Sequence, residues 1–196
     1  MAKEREMQIL LPKQKELFWG PGEWVDEPDY EEFQVEGFDC KIIRIFCLAN
    51  SAQEAASLDG FPPPFGGYLC GYLKLPEGHS WYGKKVDSEN SPDCDIHGGL
   101  TYSEFEEDGY WIGFDCCHSS DLIPSSEKFK EEKYENPRIS SLIKEIEKMF
   151  FSIIKPPIDE EDFGLLFKRT YRNLNFVKCQ LLDLANQAKL AVESQK

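Results

Sequence analysis

No stretch of the chain approaches the roughly 20 consecutive apolar residues of a membrane-spanning helix. Nor does any dense cluster of lysine and arginine relieve its acidity: 36 acidic against 22 basic residues leave a formal net charge of -14. Phosphate backbones and anionic lipid surfaces repel such a chain, which argues against nucleic-acid and membrane partners. The same excess serves solubility, suits a cationic protein partner, or mimics nucleic acid toward a protein that binds it. The opening residues through Pro12 lack the apolar core of a secretory leader. The seven cysteines are odd in number and follow no framework spacing. Together these absences predict free thiols and a cytoplasmic, reducing location. No internal repeat is visible.

What is present fits one globular domain over residues 1–196, with 41% hydrophobic and 13% aromatic residues. Residues 1–39 form an acidic N-terminal part, in which Met7 to Phe18 predicts a short helix or strand ended by Pro21-Gly22. Glu23 to Glu36 reads as a surface segment pinned by Trp24, Tyr30 and Phe33. Residues 40–118 carry strand signals: Cys40 to Leu48 and Tyr68 to Leu75 are rich in β-branched and aromatic residues. Between them, Ala49 to Ser57 predicts one or two helical turns. The break from Asp59 to Gly67, with its run of prolines and glycines, is expected to be neither helix interior nor central strand. Ile96 to Phe105 and Tyr110 to Phe114 predict a hairpin turning at Asp108-Gly109, a type I′ signal.

Residues 137–193 are expected to be helical. One apolar stripe runs from Ile139 through Leu142, Ile146 and Met149 to Ile153, entered at Pro137 and ended by Pro156-Pro157. A second runs from Phe167 through Tyr171, Leu174, Val177, Leu181, Leu184 and Ala188 to Ala191. Cys40, Cys47 and Cys179 are expected to be small core residues. Strands first and helices last predict an α+β fold, a mainly antiparallel sheet backed by two C-terminal helices.

The three histidines, His79, His97 and His118, fall close together in glycine- and aspartate-rich sequence. Imidazole is the commonest transition-metal ligand and the usual base near neutral pH. With a turn at Asp108-Gly109, Thr101 faces Cys116, Gly99 faces His118 and His97 faces Ser120. His97, Cys116 and His118 then share one sheet face at the open end of the hairpin, and Asp115 and Cys117 take the other. A one-residue slip reverses that partition.

Four readings follow. In the first, His97 and His118 ligate Zn²⁺ or another divalent metal, completed by His79 or an aspartate, with an open position for water. In the second, Cys116 is a nucleophile with His97 as base. Gly113-Phe114-Asp115-Cys116 is similar to the cysteine motif of the NlpC/P60 peptidases in permuted order, although Pro124 leaves little room for the helix that such cysteines open. In the third, the cluster is structural. In the fourth it is a ligand pocket only, using Gly98 and Gly99 for close approach and rings such as Tyr102 and Trp111 for stacking.

His97-Gly98-Gly99-Leu100-Thr101-Tyr102 and Trp111-Ile112-Gly113-Phe114-Asp115-Cys116-Cys117-His118 resemble the HGGLTY and WxGFDCxH motifs of a family of short phage and bacterial proteins. Pro76-Glu77-Gly78-His79 and Tyr171-Arg172-Asn173-Leu174-Asn175-Phe176-Val177 are similar to its flanking motifs. The resemblance implies that His79, His97, Asp115, Cys116, His118 and Asp121 belong to one motif set; it implies no reaction. The chain departs from the pattern at Cys117 and at Ser119-Ser120, so no ligand role is assigned to Asp121.

The leading expectation is a metal-assisted hydrolase or small-ligand-binding protein. His97 and His118 bind metal or shuttle protons, His79 completes the metal set, Asp115 orients an imidazole and Cys116 lines the site. The rival expectations are a non-catalytic acidic protein that blocks a partner, and a cysteine hydrolase using Cys116 and His97.

Overall fold

The β-branched isoleucines in Cys40-Lys-Ile-Ile-Arg-Ile favour an extended chain, with Cys40 and Ile42 on the face that meets the core. In the computed structural model, which describes residues 9–47, 65–86, 88–126 and 169–193, this run lies in strand β2, Phe38–Cys47. Its neighbours are β1, Tyr30–Val35, and β3, Phe65–Leu75. The sheet is completed by β4, Tyr102–Glu106, and β5, Gly109–Asp115. The order is β1-β2-β3-β5-β4, with every pair antiparallel. Helix α1, Pro12–Trp19, precedes the sheet, and the long helix α2, Leu174–Glu193, packs on it. The fold is therefore α+β. The expected helices at 49–57 and 139–153 lie outside the described residues. No helix among the described residues is long and apolar enough to cross a membrane.

Helix α2 begins where Asn173 Oδ1 accepts the Phe176 N–H at 3.0 Å, a side-chain cap. Its stripe of Val177, Leu181, Leu184, Ala185 and Ala188 is fully buried against Leu69, Leu73, Ile112 and Phe114. Gly71 makes the close approach workable: a Cβ there would stand 2.8 Å from the Phe114 ring and 3.0 Å from Val177 Cγ1. Cys179, in contrast, is exposed, because it falls on the outer side of α2 rather than in the stripe.

Three expectations change. Residues 30–35 of the acidic segment are an edge strand, entered after a 3₁₀ turn at Glu23–Val25 with Trp24 buried. Gly66 and Gly67 belong to the central strand β3 rather than to a break. Their φ values of 110° and 98° admit an irregularity opposite Ile45 and Phe46 that a side chain would resist. The hairpin turns at Glu107-Asp108, so Tyr102 faces Gly113 and Glu106 faces Gly109. Among the described residues, Glu36 alone has positive φ without being glycine, so Asp108 does not take the conformation a type I′ turn needs. Its carboxylate instead accepts from Lys74 Nζ and Trp111 Nε1, both at 2.9 Å. The register thus moves by two residues, which preserves the side to which each residue points.

A second, smaller core of Leu10, Trp19 and Trp24 joins α1 to the sheet edge. Beneath it lies an ionic network. Arg44, fully buried, donates from Nε to Asp29 Oδ1 at 2.9 Å, from Nη2 to Glu27 Oε2 at 2.8 Å, and from Nη1 to Tyr171 Oη at 2.8 Å and the Gly67 carbonyl at 2.7 Å. Lys15 Nζ meets Asp29 Oδ1 at 2.6 Å, and Glu27 Oε1 accepts the Leu174 N–H at 2.7 Å. This network fastens the N-terminal segment, β2, β3 and the start of α2 to one another. Removing one member leaves buried charge unmatched, which costs about 3–5 kcal/mol. Arg44→Met is expected to lower stability by that amount in urea unfolding. Lys74→Ala, which breaks a partly exposed pair, should cost at most about 1 kcal/mol.

Candidate metal centre

Two glycines decide where His97 sits. The strand expected from Ile96 to Phe105 begins only at Tyr102, because Gly98 and Gly99 take φ values of 68° and 80° and close a turn, with Gly99 N–H donating to Ile96 O at 3.0 Å. That loop docks on α2. Gln180 Oε1 accepts the His97 N–H at 2.6 Å, and Gln187 Oε1 accepts the Asp95 N–H at 2.7 Å. The His97 ring then stands edge-on to Phe176, with centroids 5.2 Å apart. His118 arrives from the other side. Beyond β5 the Cys116 N–H remains bonded to Leu69 O at 3.0 Å, Asp115 Oδ1 accepts the Cys117 N–H at 2.9 Å, and Asp121 N–H closes a turn onto His118 O at 2.9 Å. The His118 ring lies on Gly98 so closely that a Cβ there would fall 2.0 Å from it.

Asp121 ties the pieces together. Its side chain has no solvent exposure. Oδ2 accepts from His97 Nε2 at 2.8 Å, from the His118 N–H at 3.0 Å and from His118 Nδ1 at 3.2 Å, while Oδ1 accepts from Arg172 Nε at 2.8 Å. Arg172 reaches it because residues 120–122 and Thr170 form a parallel bridge, with bonds of 3.0 Å from Thr170 N–H to Ser120 O and from Leu122 N–H to Thr170 O. Burial pushes the Asp121 carboxyl up, but the bonds from Arg172, His97 and the His118 backbone outweigh it and hold the group below its ordinary value. It is therefore a carboxylate, and each imidazole nitrogen facing Oδ2 is an N–H donor.

One ligand atom from each of His97, His118 and Asp121 lies within 4.8 Å of the others. Two imidazoles and a carboxylate are a donor set for Zn²⁺, Fe²⁺ or Mn²⁺. A cation held there would take the imidazole nitrogens that now face Oδ2, each ring keeping its one proton on the other nitrogen; full protonation of either ring would compete with the metal, so affinity would fall as pH falls.

The other residues singled out by sequence are placed elsewhere. His79 does not join the centre: Nε2 donates to Ala188 O at 3.0 Å and Nδ1 accepts the Trp81 N–H at 3.0 Å, so both ring nitrogens are engaged. Burial pushes its pKa down, against the opposing pull of the Ala188 bond, and keeps it neutral. Its role is to fasten α2 to the turn after β3. Asp115 orients no imidazole; its bond goes to Cys117. Cys116 is buried in the main core, and burial, with Asp121 next, drives its thiol far above the ordinary value, the opposite of an activated nucleophile. Tyr102 and Trp111 lie on the sheet face away from α2, where Tyr102 meets Tyr72 and Trp111 is covered by Lys41 Nζ at 4.0 Å. They cannot stack on a ligand at His97. Gly98 does serve close approach, but of His118, whereas a Cβ at Gly99 would meet nothing within 4 Å and that glycine serves the turn through its φ of 80°. Sequence reasoning missed Arg172, Phe176 and Gln180 as parts of the centre, although the first two lie in the flanking motif around Asn173.

No family model, curated protein or solved structure matches the chain.

Two outcomes follow from this geometry. A carboxylate held below its unfolded value contributes stability that is complete above that value and is lost as pH falls through the folded one. The urea midpoint of the wild-type chain should therefore fall as pH drops below the ordinary carboxylate value of about 4, and Asp121→Asn should remove part of that fall. In the folded protein, iodoacetamide followed by peptide mass mapping should label exposed Cys179 readily and leave Cys116 unmodified. Rapid labelling of Cys116 would restore the nucleophile reading.

Proposed function

We propose that the chain is a metal-dependent protein acting on a small molecule, with hydrolysis as its chemistry. The observation that carries this reading is the convergence of His97 Nε2, His118 Nδ1 and Asp121 Oδ2, described above. Three protein ligands leave a tetrahedral metal one open position, and a divalent cation there lowers the pKa of bound water to near neutrality. The protein's own contribution is to hold the ligands. Arg172 occupies Oδ1 and leaves Oδ2 to the cation, Gln180 fixes the His97 backbone, and Gly98 makes room for the His118 ring. His97 and His118 keep 13% and 30% of their side-chain surface exposed, so a cation held between them would be reachable from solvent.

The net charge of -14 favours a second reading, in which the surface captures a cationic partner. His97→Ala separates the two, because partner capture survives that substitution and metal chemistry does not.

Elemental analysis of tag-free protein purified without chelator tests the first reading. About one Zn, Fe or Mn per chain is expected, and it should vanish in a His97→Ala, His118→Ala double variant that keeps its circular dichroism. Absence of metal from the wild-type chain after reconstitution would contradict it.

A further inference from the structure

Arg172 uses only part of its guanidinium. Nε is committed to Asp121 Oδ1, yet the Nη1 and Nη2 groups have no hydrogen-bond partner among the described residues. The side chain is 23% exposed, so these donors are open to solvent beside the candidate metal centre. The guanidinium also rests on Phe176, with Cζ 4.7 Å from the ring centroid, and the same ring meets the edge of His97. The Phe176 ring thus supports both the free fork and a metal ligand, side by side.

Charge points the same way. Asp121 and Arg172 offset one another, so a divalent cation held there would leave the site locally positive. This stands in a chain whose net charge is -14. A site of that sign selects anions, and a guanidinium edge with two parallel donors matches the two oxygens of a phosphoryl or carboxylate group.

From this we infer that the substrate carries an oxyanion, phosphoryl or carboxylate, which the Nη1/Nη2 edge of Arg172 binds while the same molecule reaches the metal. The inference rests on the metal reading above. Arg172 is then a substrate-recognition residue as well as the clamp on Asp121.

The test uses full-length protein reconstituted with Co²⁺, whose visible spectrum reports ligands entering the metal sphere. Inorganic phosphate and acetate are titrated separately at constant ionic strength into wild type, Arg172→Gln and Arg172→Lys, and cobalt content is measured for each. Wild type should bind at least one of the two anions, and the preferred one assigns the class. Arg172→Gln, whose amide still reaches Asp121, should keep cobalt and bind about 10- to 100-fold more weakly, the worth of hydrogen bonds to a charged group. Should that variant lose cobalt, Arg172→Lys decides, because it keeps a cation beside Asp121 without the fork and should also bind about 10-fold more weakly. A cobalt-loaded wild type that binds neither anion, or a cobalt-loaded variant that binds as well as wild type, overturns the inference and leaves the metal reading standing. Wild type that holds no cobalt overturns both.

Discussion

A carboxylate with no access to water has to be met by donors, and Asp121 is met by four: two from His118 in its own turn and one each from the distant His97 and Arg172. Leaving such a charge unpaired costs several kcal/mol, a large fraction of the stability of a domain this size. The loop at 95–99, the turn at 118–121 and the approach to α2 are therefore not independent loops. Each gives a donor to one anion. The Arg44 network does the converse on the neighbouring edge, where a buried guanidinium gathers Asp29, Glu27, Tyr171 and the carbonyl of Gly67. Tyr171 and Arg172 are adjacent, so the same few residues before α2 serve both networks.

Structural rigidity and chemical readiness coincide here. Oδ1 of Asp121 is the clamped oxygen. Oδ2 is where both imidazoles point, and it is the atom whose partners a cation can replace. Phe176 holds His97 and Arg172 on one ring, and Gln180 sits one turn farther along α2 to fix the His97 backbone. A helix thus positions the loop, and the sheet end at Cys116 positions the turn. That is the support a site needs if its ligand atoms are to be held to within fractions of an ångström.

Much of the sheet was legible in sequence because β2 and β3 are long and rich in β-branched and aromatic residues. The stripe of α2 was legible through its period. The hairpin was harder. Asp108-Gly109 is a strong turn signal, but Asp108 is held by Lys74 and Trp111, and the turn forms one residue earlier. Because the register moved by two residues, Cys116 kept its side of the sheet. His97 and His118 meet all the same, with ring centroids 5.0 Å apart, through a glycine turn and a post-strand loop rather than across a ladder. Arg172 stayed hidden because a parallel bridge between residues 121 and 170 brings it in, and no local pattern announces such a pairing. His79 misled because its proximity in sequence to the other histidines carries no information about its hydrogen bonds, which are both to backbone.

The central claim is that two imidazoles and one carboxylate, and no cysteine, bind a divalent cation. X-ray absorption at the zinc edge of the zinc-loaded chain reads this directly. The account predicts two imidazole scatterers and further oxygen at about 2.0–2.2 Å, with no sulfur shell. A sulfur shell at about 2.3 Å, or a single imidazole, would contradict it.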